Sequence, residues 1–178
     1  MKKILLYTLL IFSLTSCSHL VEGLNENPNS PTNAAYQYIL TGAEVANIVL
    51  HTGEPSRKAS ILGGYYTGID RQHLVYTRYA VSTSSFNADW NIVFADVVSN
   101  VNATLNALET SGTGGIAKGI AQTLNAMALG TAASLWGDIP FDDAGNPEVI
   151  NPVFENQDAV YEKVQNLLDE ALSNLSAG

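Results

Sequence analysis

From Gly115 to Trp136 the sequence reads as one uninterrupted helix, and it stops on Trp136-Gly137 to run into a short segment of acids, Pro and Gly, LWGDIPFDDAGN. Ile116, Ile120, Leu124, Met127, Ala128 and Leu135 fall on one side at helical spacing. Ala121, Ala128, Ala132 and Ala133 keep the other faces slim, so a neighbouring helix can approach closely. A rod of this kind needs helical partners to cover it. The break after it has a structural reading. Gly137 can take the left-handed conformation that ends a helix, Pro140 prevents its resumption, and Asp138 and Asp142 can bond nearby backbone donors in turns.

The partners are legible on either side. Asn156 can cap a helix with Asp158 in its first turn, and Val160, Val164, Leu167, Leu168, Ala171, Leu172 and Leu175 form its apolar stripe. Asn87 can cap another, carrying Trp90, Phe94, Val97, Val98, Val101, Leu105 and Leu108 and ending at Ser111 to Gly115. Ala34 to His51 is apolar enough for a helix buried on most sides. A weaker helix is expected over Arg57 to Ile69, because Gly63, Gly64 and Gly68 each disfavour it by roughly 1 kcal/mol relative to Ala. Asp70 to Phe86 lacks helical periodicity and reads as a long loop. No segment alternates like a strand, so the fold class is all-α, built of antiparallel helix pairs.

The N-terminus sets location. Lys2 and Lys3 precede an apolar stretch, Ile4 to Leu14, and LTSC closes it at Cys17. That order is a lipoprotein signal. The apolar stretch falls short of the roughly 20 residues a permanent span needs. Cleavage is expected before Cys17, which makes residues 1–16 the signal peptide, Cys17 the lipidated first residue and 17–33 an Asn-, Ser- and Pro-rich tether. The helical domain then occupies 34–178. Cys17 is the only cysteine, so no disulfide framework, zinc site or cysteine nucleophile is expected. Without Lys2 and Lys3, six basic residues face 17 acidic ones, a formal charge of −11. Such a surface disfavours nucleic acid and anionic lipid alike. Membrane attachment would therefore rest on several acyl chains at Cys17.

Enzyme and cofactor signatures are missing. His19, His51 and His73 are scattered, and there is no HExxH, GxSxG, P-loop or GxGxxG pattern. Asp138, Asp142 and Asp143 do not fit a calcium loop, because Pro140 stands where a second ligand should be. No metal or cofactor is expected. Aromatic residues remain as binding candidates. Trp90 and Trp136 fall on helix stripes and read as core, and Tyr65 and Tyr66 could stack on sugar rings. Tyr76, Arg78 and Tyr79 lie in the expected loop, where rings beside a guanidinium would form a platform for a sugar. A solvated loop without a ligand is the competing reading of those three.

The order of these pieces resembles the SusD/RagB lipoproteins, in their SusD-like branch. The residues that carry the resemblance are the LTSC lipobox, the NENPNSPT tether, the Trp90 helix with Asn100 and Asn102, and LWGDIPF followed by NPVFENQDAVYEKVQNLLDEAL. The resemblance implies a TPR-like helical scaffold and a non-enzymatic, lipid-anchored outer-membrane protein facing the cell exterior. It further implies capture of glycans, or sometimes peptides, as a lid over a TonB-dependent, SusC-like transporter. An oligosaccharide ligand is thus expected, and no sugar contact is implied for GDIPF. Family members continue well past this length, and the final helix keeps an apolar stripe to Leu175 with little sequence left to cover it. The chain therefore reads as the N-terminal part of such a protein. A purely structural or periplasm-facing lipoprotein that binds nothing, such as a truncated gene could produce, is the alternative, beside capture of peptides in place of glycans, and a hydrolase is a third class.

Overall fold

The computed structural model describes residues 34–112 and 114–177. The expected signal peptide, Cys17 and the tether up to Asn33 lie outside the described residues. From Ala35 onward the chain forms one compact unit. Its elements are α1 (Tyr36–Thr52), α2 (Glu54–Leu62), α3 (Arg71–Thr77), a 3-10 turn (Thr83–Phe86), then α4 (Asn87–Asn91), a π-helical stretch (Ile92–Val98) and α5 (Ser99–Ser111) in unbroken succession, and finally α6 (Gly115–Trp136) and α7 (Gln157–Ser176). The all-α expectation holds. Among the described residues the only strand-like pairing is an isolated antiparallel bridge between Ile139 and Glu155.

The core lies where α1, the π stretch, α5, α6 and α7 meet, with Leu50, Val93, Val97, Val101, Leu129 and Val160 almost fully enclosed. α6 runs along α7, and its small residues allow the approach the sequence suggested. Ala121, Ala128, Ala132 and Ala133 are all fully buried. A side chain at Gly119 would stand 2.7 Å from Leu175 Cγ and 2.9 Å from the Ala171 carbonyl oxygen. The larger residues of α6 behave differently from expectation. Ile116, Met127 and Leu135 are substantially exposed, whereas Ile120 and Leu124 of the same stripe pack against the core and Leu129 is enclosed.

Local signals explain several other departures. α1 buries one face only, through Leu40, Ala43, Asn47 and Leu50, and leaves Tyr38, Val45 and Ile48 in solvent. α2 starts earlier than expected, with Pro55 in its first turn, and ends at Gly63 and Gly64 instead of reaching Ile69. The expected loop from Asp70 contains α3. Its cap is Asp70, whose Oδ1 accepts the Arg71 N–H at 2.8 Å. The 3-10 turn carries a reciprocal Ser82 and Ser85 capping box, which displaces Asn87 from the expected cap position into the first turn of α4. The π stretch then rotates the helix face within a turn. Val93, Val97 and Val98 point into the core, while Trp90 and Phe94 pack at its edge.

The corner after α6 is stapled across 20 residues of chain. Gly137 has φ +79° and ψ −114°, a positive φ as expected but outside the left-handed helical well. Ile139 is completely buried, and it exchanges backbone hydrogen bonds with Glu155 at 3.2 and 2.9 Å. Asp138 Oδ1 accepts the Gln157 N–H at 3.0 Å, and Asn156 accepts that of Asp158 at 3.1 Å, so two side chains cap α7. Lys163 Nζ bridges Asp142 at 2.7 Å and Glu155 at 2.5 Å.

Candidate functional site

The breakdown of α2 at Gly63-Gly64 turns the chain back over the helix and opens a cleft of about 580 Å³. Thr52, Ser56, Ser60 and Thr67 line it with polar groups, and Arg57, Asp70, His73 and Tyr66 add charge, a ring nitrogen and an aromatic face. Gly68 is obligatory in the wall, since a Cβ there would collide with the His73 backbone at about 2 Å. The Gly68 N–H donates to Thr77 Oγ1 at 2.7 Å, which ties the returning chain to α3. Arg57 is ion-paired with Glu54 one turn earlier. The Nε2 of His73 is buried without a hydrogen-bond partner among the described residues, 4.0 Å from Glu54 Oε1.

On another side α2 is locked to α4 and to the 3-10 turn before it. Lys58 Nζ donates to Asp89 Oδ2 at 2.7 Å and to the Ser85 carbonyl at 2.8 Å, with both side chains nearly solvent-free. The ammonium also lies 5.7 Å from the Tyr76 ring centroid and 5.2 Å from that of Phe86. Tyr76 therefore packs inward, only 7 % exposed, and does not present its ring to solvent as a loop residue would. Arg78 and Tyr79 follow α3 on the surface. Tyr79 is 69 % exposed, with φ +53°, and its hydroxyl donates to the carbonyl of Leu62, next to the cleft-lining Ile61, at 2.8 Å. The expected trio is thus split: Tyr79 is bonded to the end of α2, Arg78 is exposed just after α3, and Tyr76 packs against the buried Lys58. Sequence reading missed Arg57, Asp70 and His73 as cleft residues. The Gly-Gly-Tyr-Tyr run was the available signal, since consecutive glycines before exposed aromatics mark a reversal that displays rings.

Trp90 and Trp136 form a separate aromatic knot. Trp90 meets Phe94 at 4.2 Å, Trp136 edge-on at 5.1 Å and Phe154 in parallel at 6.1 Å between centroids. Both tryptophans pack against the core, as their stripe positions suggested. Among the described residues, no three or more His, Cys, Asp or Glu side chains gather as a metal-binding set. No helix among them is long and apolar enough to cross a membrane.

The all-α scaffold thus carries an open cleft lined by hydroxyls, a guanidinium and a phenol ring. The model of the SusD-like family, described as starch-binding and associating with the outer membrane, matches residues 28–178, and the chain belongs to that family. The chain is also similar to a solved SusD/RagB family protein from Bacteroides thetaiotaomicron, at 21 % identity and a TM-score of 0.72. That match covers 80 % of this chain and 30 % of the other, so the chain spans under a third of the length of that relative. At this identity the likeness establishes a shared fold. No curated protein matches the chain.

Proposed function

We propose that the chain works as a nutrient-binding outer-membrane lipoprotein that captures a starch-like glycan and passes it to a TonB-dependent, SusC-like transporter, without transforming it chemically. The carrying observation is the match, over residues 28–178, to a family described as starch-binding and outer-membrane associated. The cleft chemistry supports it. A hexose presents vicinal hydroxyls that both donate and accept, and a flat apolar face, which suit hydroxyl side chains, Arg57 and the ring of Tyr66. Arg78 and Tyr79 extend that polar and aromatic surface, with Tyr76 packed against the buried Lys58. Cys17 supplies the anchor through its acyl chains, in accord with the acidic composition, which offers no charge attraction to the membrane, and the resemblance to the SusD-like proteins supports an orientation toward the cell exterior.

Affinity electrophoresis of the full chain through native gels with and without soluble starch tests the binding half. Retarded migration in the starch gel is expected. Equal mobility in both gels would reject starch capture by this chain.

A further inference from the structure

A second groove, of about 740 Å³, runs between α5, α6 and the corner after α6, and it shares no residue with the cleft beside α2. Its volume falls within the roughly 300 to 1,000 Å³ of small-molecule sites. Its lining is unusual in kind: four carboxamides, Asn102, Asn106, Asn125 and Asn146, with the ring of Phe141 and the carboxylate of Glu109. We propose that this groove is an independent sugar-binding site, which takes a neutral hexose unit of the same glycan. The sugar class rests on the glycan-capture reading above, whereas the existence of a built polar groove does not.

Three observations carry the assignment. First, Asn125 Oδ1 is buried and has no hydrogen-bond partner among the described residues. Buried polar atoms are nearly always paired, so an acceptor left open in a groove wall asks for a donor from whatever fills it. Second, the wall is fixed in advance. Asn102 Nδ2 donates to the Ala144 carbonyl at 2.8 Å. Gly145, at φ +66°, is pressed so close that a Cβ would lie 2.9 Å from that same nitrogen and 3.1 Å from Val98 Cγ1. The Asp142 N–H is held in turn by Glu155 Oε1 at 2.9 Å. A groove so braced has little ordering left to do when a ligand enters.

Third, the charge selects the ligand. No Lys or Arg lines the groove, and Glu109 and Asp142 are its ionisable members. Phosphate, sulfate and carboxylate ligands therefore find no cation among the lining residues, and the one nearby, Lys163, is already paired with Asp142. A carboxamide carries two donor hydrogens and an acceptor, the set that a hydroxyl pair on a sugar ring can satisfy from both sides; Asn102 spends one donor on the Ala144 carbonyl and Asn146 Oδ1 accepts the Glu148 N–H, and the groups left over face the ligand. A divalent cation would need several oxygens converging at about 2.3 to 2.6 Å. Here Asp142 is already engaged by Lys163 at 2.7 Å, and the acids do not gather into a metal set.

The test is an amide-shift titration of the 15N-labelled full chain with maltoheptaose, which reads the side-chain NH2 signals of asparagines directly. The signals of Asn106, Asn125 and Asn146 are expected to move in a saturable way. Asn125→Ala should weaken the groove response about three- to ten-fold, the worth of one or two hydrogen bonds, and leave shifts at Tyr66 and Arg57 unchanged. Exposed Asn106→Ala provides the same readout without touching the core. Shifts confined to Tyr66, Arg57 and Tyr79 would overturn the groove while sustaining glycan capture. Groove shifts with calcium chloride but not with maltoheptaose would overturn it in favour of a cation. No saturable shift anywhere would remove both the groove and the glycan reading.

Discussion

Tyr76 and Tyr79 stand three residues apart and have opposite tasks. Tyr76→Ala removes a buried ring from beside Lys58 and is expected to lower stability by about 3 kcal/mol, as large core truncations do. Tyr79→Ala loses one exposed hydrogen bond, worth about 1 kcal/mol or less, and should instead weaken glycan binding. Paired melting and binding curves separate the two. Lys58→Met should be more damaging still, by about 3 to 5 kcal/mol, because Asp89 would be left charged and unpaired in the interior. Thermal denaturation of that variant, beside Lys58→Met/Asp89→Leu, checks the cause: the double substitution should recover much of the loss. At this scale the sequence showed which rings were present but not their orientation. Tyr76 turns inward toward Lys58 from α3, whose seven residues are too few to leave a periodic stripe in the sequence.

The long helices were legible because their signals are local: the Asn156 cap with Asp158, the stripe of α7, and the small residues of α6. What joins them was not. The bridge from Ile139 to Glu155 and the Asp138 cap on Gln157 link residues 16 and 19 apart, and no window of sequence contains both partners with a pattern between them. Two expectations belong to these elements. Gly119→Ala should destabilise the α6–α7 pair by about 1 to 3 kcal/mol despite alanine's better helix propensity, since the Ala171 backbone would have to move. The corner should also respond to pH. Burial alone would raise the pKa of Glu155, but hydrogen bonds from Lys163 and from the Asp142 and Phe141 backbone hold it below the ordinary value. Hydrogen bonds to Asp142 and Glu155 raise that of Lys163. A lowered acid stabilises fully above its unfolded pKa of about 4.3 and loses that contribution as pH falls through its folded value. A raised lysine stabilises fully below about 10.4 and loses it as pH rises through its folded value. Lys163→Met should therefore flatten the melting-temperature profile at both ends. At neutral pH its cost should stay at or below about 1 kcal/mol, because a third of the Lys163 side chain is solvated. An unchanged profile would show that the staple contributes nothing.

For the whole molecule, the signal and the acidic balance pointed to attachment through lipid, the resemblance pointed to the outer membrane, and family membership agrees with the outer-membrane association. Cys17→Ala is expected to abolish fatty-acid labelling and to release the chain from the membrane fraction. Unchanged fractionation would reject the lipid anchor. The cleft itself was only half legible, since it exists because α2 ends early and α3 folds back, a tertiary event that brings Arg57, Tyr66 and His73 to one place. The most direct test of the account is calorimetric titration of maltoheptaose into the full chain, the Tyr66→Ala variant and the Arg57→Ala variant, all three checked for equal melting. The expected result is saturable heat for the unaltered chain and affinity reduced about ten-fold or more in each variant, as loss of a stacking ring or a charged donor would give. Equal affinities for all three would contradict the placement of the glycan in this cleft, and absence of heat for the unaltered chain would contradict glycan capture itself.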